Sequence, residues 1–197
     1  MPTNNNKIKT GLYFGSFNPI HNGHLMLANY LVENGGIDCL WFVISPQNPF
    51  KKKDSLLADY HRLELVRLAI DDFPKFQASD IEFSMPKPSY TINTLCYLSE
   101  KYPNREFYLI MGGDNIEGFY RWKNSDQILD HYNIIVFPRN GYNANQYLNH
   151  PHVHIVETPI IEVSSTFIRE SISKGQDVRY FMPQKVWKYI DEMNFYK

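Results

Sequence analysis

Apolar residues in this chain gather in short unbroken runs, separated by stretches in which they recur every three or four positions. The runs are Gly11 to Phe14, Cys39 to Ile44, Glu106 to Met111, Ile134 to Phe137 and Val153 to Val156, with a less regular one from Phe76 to Phe83. An unbroken apolar run fits a strand covered on both faces, as in a parallel sheet, whereas a half-exposed strand would alternate. Helical spacing fills the intervals. Leu25, Leu27, Ala28 and Leu31 predict a helix from His24, stopped by Gly35 and Gly36. Leu63, Val66, Leu68, Ala69 and Ile70 predict a second over 60–73, with Asp59 as its N-cap. Behind Pro86 and Pro88, Tyr90 to Leu95 opens a third, whose hydroxyls are expected to cap it. Val186, Trp187 and Ile190 mark the inner side of an amphipathic helix over 183–195. Strands alternating with helices predict an α/β fold: an open, mostly parallel sheet with helices on both faces.

The bulk composition narrows the function classes. A chain of 197 residues is sized for one well-buried domain, and no repeat suggests a second. Its net charge of −1 argues against a general nucleic-acid or membrane surface, so any phosphate recognition has to be local. Cys39 and Cys96 are too few and too far apart for a disulfide framework or a CxxC metal site. The polar start, Met1 to Lys7, has no apolar core of a signal peptide, and no apolar run is long enough to span a bilayer. A soluble protein of the reducing cytoplasm is expected.

Candidate chemistry collects where strands end, the edge at which open parallel sheets bind ligands. After the first strand, Gly15-Ser16-Phe17-Asn18-Pro19-Ile20-His21-Asn22-Gly23-His24 puts two imidazoles at a helix N-terminus, where unpaired N–H groups and the helix dipole favour an anion such as phosphate. After the second, Lys51 to Lys53 is either a solvated basic loop or a phosphate contact, with Lys51 the stronger choice. Gly112 and Gly113 allow close backbone approach, and Asp114 can accept from ribose hydroxyls. Arg139 follows the fifth strand. Ser164, Ser165 and Thr166 can cap a helix and donate to an anion, with Arg169 one turn later pointing back at them. Trp122, between Arg121 and Lys123, sits in unusual company for a buried ring.

The first of these stretches resembles the (T/H)xGH signature of the Rossmann-like nucleotidyltransferases, and Val163 to Arg169 resembles their second signature, ISSTxIR, with Val163 for Ile. The landmarks between them are similar to those of the bacterial nicotinate mononucleotide adenylyltransferases. These are Asn48 to Lys51, Pro88 to Leu95, Gly112 to Asp114 with Trp122, and Pro138 to Gly141. Phe50, where many members have His, and the Asn-rich stretch 143–150 depart from the pattern.

The resemblance implies a single Rossmann-like nucleotidyltransferase domain, with a core over 9–160 and the ISSTxIR-type turn and its helices over 161–197. It implies ATP and nicotinate mononucleotide as substrates, Mg²⁺ with the ATP, and no nucleic-acid or membrane partner; a homodimer is left open. His21 and His24 would be the catalytic donors. Gly15, Ser16, Phe17 and Lys51 would touch ATP, as would Gly112, Asp114, Ser164, Ser165, Thr166 and Arg169. Ser16, Phe17, Lys51, Tyr90, Thr91, Trp122 and Arg139 would hold the mononucleotide. A pantetheine-phosphate adenylyltransferase, another HxGH nucleotidyltransferase and a non-catalytic nucleotide sensor of the same fold remain the alternatives.

Overall fold

The unbroken apolar runs become strands because successive residues face opposite sides of one sheet and both sides are covered. Leu12, Trp41, Val43, Leu109, Met111, Ile134 and Val136 belong to one core. Their neighbours Tyr13, Phe42, Ile44, Ile110 and Ile135 belong to the other. The computed structural model describes residues 7–46, 56–139, 147–159 and 161–197. Its strands are β1 (Ile8–Gly15), β2 (Cys39–Ile44), β3 (Phe76–Ser79), β4 (Arg105–Gly112), β5 (Asn133–Phe137) and β6 (Val153–Ile155). They form one six-stranded sheet in the order β3-β2-β1-β4-β5-β6. Every pairing is parallel. The expectation of a mostly parallel sheet is therefore met in full.

The helices are α1 (Asn22–Asn34), α2 (Asp59–Ile70), α3 (Thr91–Lys101), α4 (Gly113–Glu117), α5 (Ser125–His131), α6 (Ser165–Ser173) and α7 (Gln184–Glu192). Buried residues of α1, α2, α6 and α7 pack into the first-strand core that contains Tyr13. Those of α3, α4 and α5 pack into the core that contains Leu12, so helices cover both faces. Chain order runs outward in both directions from β1, which lies between β2 and β4. A crevice is expected at the carboxyl ends of β1 and β4, where the order reverses. Among the described residues no helix is long and apolar enough to cross a membrane.

Three local expectations are corrected. The stretch after Phe76 is a strand only to Ser79, followed by a 3₁₀ turn over Ile81–Ser84. There the carboxylate of Glu82, 3 % exposed, turns inward. It accepts hydrogen bonds from Thr94 Oγ1 at 2.8 Å and Ser89 Oγ at 3.0 Å. Those hydroxyls serve a buried acid and do not cap α3, whose N-cap, Tyr90, makes no side-chain cap bond. Asp59 is likewise the first residue of α2 and not its cap, which is Ala58. A carboxylate there is taken by the next turn, because Arg62 lies one turn on and donates to Asp59 Oδ1 at 2.6 Å.

Arg62 is fully buried. Its five N–H groups all have acceptors: Nε donates to Leu57 O, Nη1 to Ser16 O and Ser45 O, and Nη2 to Pro46 O and Asp59 Oδ1. A guanidinium is the side chain that offers five donors in one rigid plane. Here the plane ties the ends of β1 and β2 to the start of α2. Removing it strands buried carbonyls, so Arg62→Met is expected to lower stability by about 3–5 kcal/mol in urea unfolding. An unchanged midpoint would mean that backbone contacts alone hold these turns.

Candidate active site

Where β1 ends, the chain turns through Phe17 in the left-handed region, φ 44°. For a residue with a Cβ this costs about 1–2 kcal/mol. The ring swings back over Gly15, where a Cβ would come within 2.8 Å of Phe17 Cζ, so only glycine fits. Phe17 is 2 % exposed and meets Phe42 at 5.5 Å and His24 at 5.2 Å between ring centres. Full burial of a phenyl ring is worth about 1.5–3 kcal/mol, before its ring contacts, which outweighs the backbone cost. The turn therefore has one shape, and it delivers His21 as the N-cap of α1. Phe17, expected to touch ligand, lines the cleft described below with its ring packed in the core.

The helix begins two residues earlier than predicted, at Asn22, which leaves His21 and His24 on its first turn. Their rings stack with centres 3.7 Å apart and planes 28° from parallel. The His21 N–H donates to His24 Nδ1 at 3.3 Å, so His24 fills the place of the glutamate in a capping box. That bond assigns the proton of a neutral His24 ring to Nε2. His21 is 4 % exposed and its Nδ1 has no hydrogen-bond partner among the described residues. Burial, with a smaller contribution from Arg139, lowers its pKa from 6.5 to about 4. At neutral pH it is an uncharged ring with one buried nitrogen unused.

A second helix N-terminus meets the first. Ser164 caps α6 by accepting from Phe167 N–H at 3.1 Å. Ser165 Oγ donates to Pro19 O at 2.8 Å. Arg169 Nη1 donates to Asn18 O at 2.8 Å, and Nη2 reaches Thr166 Oγ1 at 3.4 Å. As predicted, Arg169 points back at its own helix start. Ser165 gives its proton to the β1 turn, whereas Ser164 and Thr166 accept in these bonds and keep a proton to donate beside the backbone N–H groups of the helix start.

Between these two termini and the ends of β4 and β5 lies a cleft of about 860 Å³. Gly15, Ser16, His21, His24, Asp114 and Arg139 line it, as do Gly112, Phe17 and the Ser164 to Thr166 turn with Arg169. Asp114 and Arg139 face each other, with Oδ1 3.5 Å from Nε. That is an ion pair without a hydrogen bond, and the buried Asp114 Oδ1 has no hydrogen-bond partner among the described residues. A Cβ on Gly112 would collide with Asp114 Oδ1 and come 3.1 Å from Arg139 Nε, so the space that glycine leaves is used by this pair.

Tyr90, Thr91 and Trp122 do not line this cleft. Lys123 Nζ sits 4.3 Å over the Tyr90 ring, and Trp122 packs on Phe119 with centres 5.4 Å apart. Lys51 lies outside the described residues. Tyr13, Asn18 and Arg62 were not foreseen. Tyr13 lines the cleft with its phenol pushed up to about 12, chiefly by burial. Arg62 did leave a signal, since it shares the apolar stripe of Leu65, Val66 and Ala69 at spacings of three, four and seven.

The family described as cytidylyltransferase-like matches residues 12–171. A Flavobacterium psychrophilum protein named "Probable nicotinate-nucleotide adenylyltransferase" is 53 % identical over 192 residues, covering 96 % of this chain and 100 % of that protein. The chain belongs to the cytidylyltransferase-like family and, within it, to the nicotinate-nucleotide adenylyltransferases. A Bacteroides fragilis protein with the same name as the Flavobacterium one is 51 % identical over 93 % of this chain and 92 % of its own length. Among solved structures, nicotinic acid mononucleotide adenylyltransferase from Plasmodium falciparum, complexed with NaAD, superposes with a TM-score of 0.79 at 24 % identity. The match covers 95 % of this chain and 97 % of that one. At that identity the likeness is one of fold, and it matches the sheet described above.

The lowered pKa of His21 makes stability depend on acid. Between about 6.5 and about 4 the unfolded chain binds a proton on this residue that the folded chain does not, so its contribution is complete above that window and is lost as pH falls through it. From pH 8 to pH 5 the loss is roughly 2 kcal/mol. His21→Asn should flatten the decline of the urea midpoint between those values. An equally steep decline in the variant would remove His21 as its source.

Proposed function

We propose that this chain transfers the adenylyl group of ATP to nicotinate mononucleotide, giving nicotinate adenine dinucleotide and pyrophosphate. The observation that carries this reading is the meeting of two helix N-termini over a cleft whose wall holds two buried polar atoms, His21 Nδ1 and Asp114 Oδ1, with no hydrogen-bond partner among the described residues. Buried polar groups are nearly always paired, and groups left over at a cleft point to a ligand that pairs them. The names of full-length relatives at about half identity support the choice of substrates.

In the reaction an oxygen of the mononucleotide phosphate attacks the α-phosphorus of ATP. The new O–P bond forms as the bond from that phosphorus to the bridging oxygen of pyrophosphate breaks, and the leaving electron pair departs on pyrophosphate. No proton must be removed from a phosphate nucleophile, so the protein's task is alignment and stabilisation of charge. His21 and His24 are the donors assigned to the α-phosphate. Incoming phosphate favours the charged imidazole, against the burial that keeps His21 neutral in the free protein. Arg169 and the N–H groups of the Ser164 to Thr166 turn take the rest of the triphosphate.

Gly15, Ser16 and Phe17 offer backbone to both nucleotides. Asp114 accepts from ribose hydroxyls of ATP, beside Gly112. Arg139 serves the mononucleotide phosphate, with Tyr90, Thr91 and Trp122 further out towards its pyridine. Lys51 completes the set from the loop after β2. On this reading 9–160 and 161–197 act as one nucleotidyltransferase domain, because the α6 turn is bonded to the β1 turn.

Nucleotidyltransferases of this type use a divalent metal with ATP. Among the described residues no three His, Cys, Asp or Glu side chains gather into a metal site. That donor set fits a hydrated ion that arrives on the triphosphate and is held through it, for which Mg²⁺ is our choice. When bound, it shields phosphate charge.

Pyrophosphate release tests the reaction, with ATP and either nicotinate mononucleotide, nicotinamide mononucleotide or phosphopantetheine as acceptor. Release with the first and little with the others is expected; release with phosphopantetheine alone, or none at all, overturns it. His24→Ala should lower kcat by about 10²–10³ with the fold intact, the usual effect of losing one positioned donor. An unchanged kcat in a folded variant removes His24 from the mechanism. Trp122→Ala should raise KM for nicotinate mononucleotide while that for ATP stays nearly constant. Parallel losses for both substrates would make Trp122 a packing residue only.

A further inference from the structure

Asn18 stands in the middle of the β1 turn and is 3 % exposed. Its side-chain oxygen accepts two hydrogen bonds, from Leu57 N–H at 3.2 Å and from the Tyr196 hydroxyl at 2.8 Å. Its main-chain oxygen accepts from Arg169. Three donors distant in sequence thus converge on the residue that precedes Pro19 and His21. Tyr196 is separated from Asn18 by 178 positions.

The segment that carries Tyr196 is held in an expensive shape. After α7, Asn194 and Tyr196 both occupy the left-handed region, with φ 54° and 65°. Residues with a Cβ adopt it at a steric cost, and such outliers persist only where their surroundings enforce them. Here the enforcement is visible. Phe195 N–H donates to Ile190 O at 3.0 Å, the Phe195 ring packs edge-on to His61 at 4.7 Å, and Lys197 Nζ pairs with Asp191 at 2.9 Å. The result of that shape is to aim a phenol at Asn18.

We propose that Tyr196 is a positioning residue for adenylyl transfer: by bonding Asn18 it fixes the turn that sets His21 and His24. This rests on the function proposed above. The hydroxyl of Tyr196 is bonded to Asn18, so its effect passes through Asn18 and alters alignment more than ATP binding. Losing the hydroxyl releases one of the two bonds on Asn18 Oδ1, while the ring can remain in place.

The test compares Tyr196→Phe with Tyr189→Phe, which loses a hydroxyl bonded to His61 at 2.9 Å in the same packing but remote from Asn18. Tyr196→Phe is expected to lower kcat for pyrophosphate release about five- to tenfold, the equivalent of one neutral hydrogen bond, with KM for ATP changed less than about twofold. Tyr189→Phe should leave kcat unchanged. In an Asn18→Ala background, Tyr196→Phe should add no further loss, whereas the same loss there would show that the effect does not pass through Asn18 and would overturn the proposal. An unaltered kcat in Tyr196→Phe overturns it too. The imidazole NMR signals of His21 and His24 give a readout independent of turnover: they should move in Tyr196→Phe and stay in place in Tyr189→Phe. If the native protein releases no pyrophosphate, the proposed function fails, while immobile imidazole signals in Tyr196→Phe would still refute the positioning role.

Discussion

The guanidinium of Arg62, removed from water and surrounded by four carbonyls and a carboxylate, is the joint on which the ligand-facing side of the molecule depends. A buried cation is costly unless its desolvation is offset by geometry, and here every N–H is used. The strands end close together at this edge, and their carbonyls there have no further strand to bond. Arg62 supplies the missing donors for two of those ends at once. The β1 turn, held from below by Arg62 at Ser16, is then free to be shaped from above by α6.

Ser165 and Arg169 each donate to a main-chain oxygen of the β1 turn, so hydrogen bonds of fixed length join the two helix starts above the shared apolar core that holds Ile20 and Ile168. Two positive helix ends facing one cleft repel each other weakly and attract a common anion strongly. The free protein therefore carries an electrostatic demand in its wall. Asp114 meets part of it through Arg139; the uncharged His21 ring adds nothing to it at neutral pH.

Much of this was legible in the residues. Strand positions, the parallel order and the strand-end location of His21, His24, Asp114 and Arg139 follow from apolar runs and the turns that end them, which are local patterns. What escaped was non-local pairing. Nothing adjacent to Ser89 and Thr94 announces that both will bond Glu82, because the acid lies in a stretch that reads as strand. Asp59 reads as a cap since the rule weighs near neighbours, and Arg62 outbids the helix N–H groups for it. The burial of the Phe17 ring escaped as well, because a left-handed backbone in a glycine-rich turn is what carries it into the core. Lys51 falls outside the described residues, and Tyr90, Thr91 and Trp122 do not line the cleft between the two helix N-termini.

The bonds that close the cleft also say when in the life of a chain it can exist. Ser165 and Pro19 are separated by 146 positions, and Arg169 and Asn18 by 151. Contacts of such span form late, because the entropy of closing a long loop must be met before they contribute. A chain leaving the ribosome would present the glycine-rich turn and its two imidazoles long before the serine turn arrives to face them. Until then the first helix end stands alone, and the cleft exists only once the chain has been made as far as Arg169 and has folded back on the β1 turn.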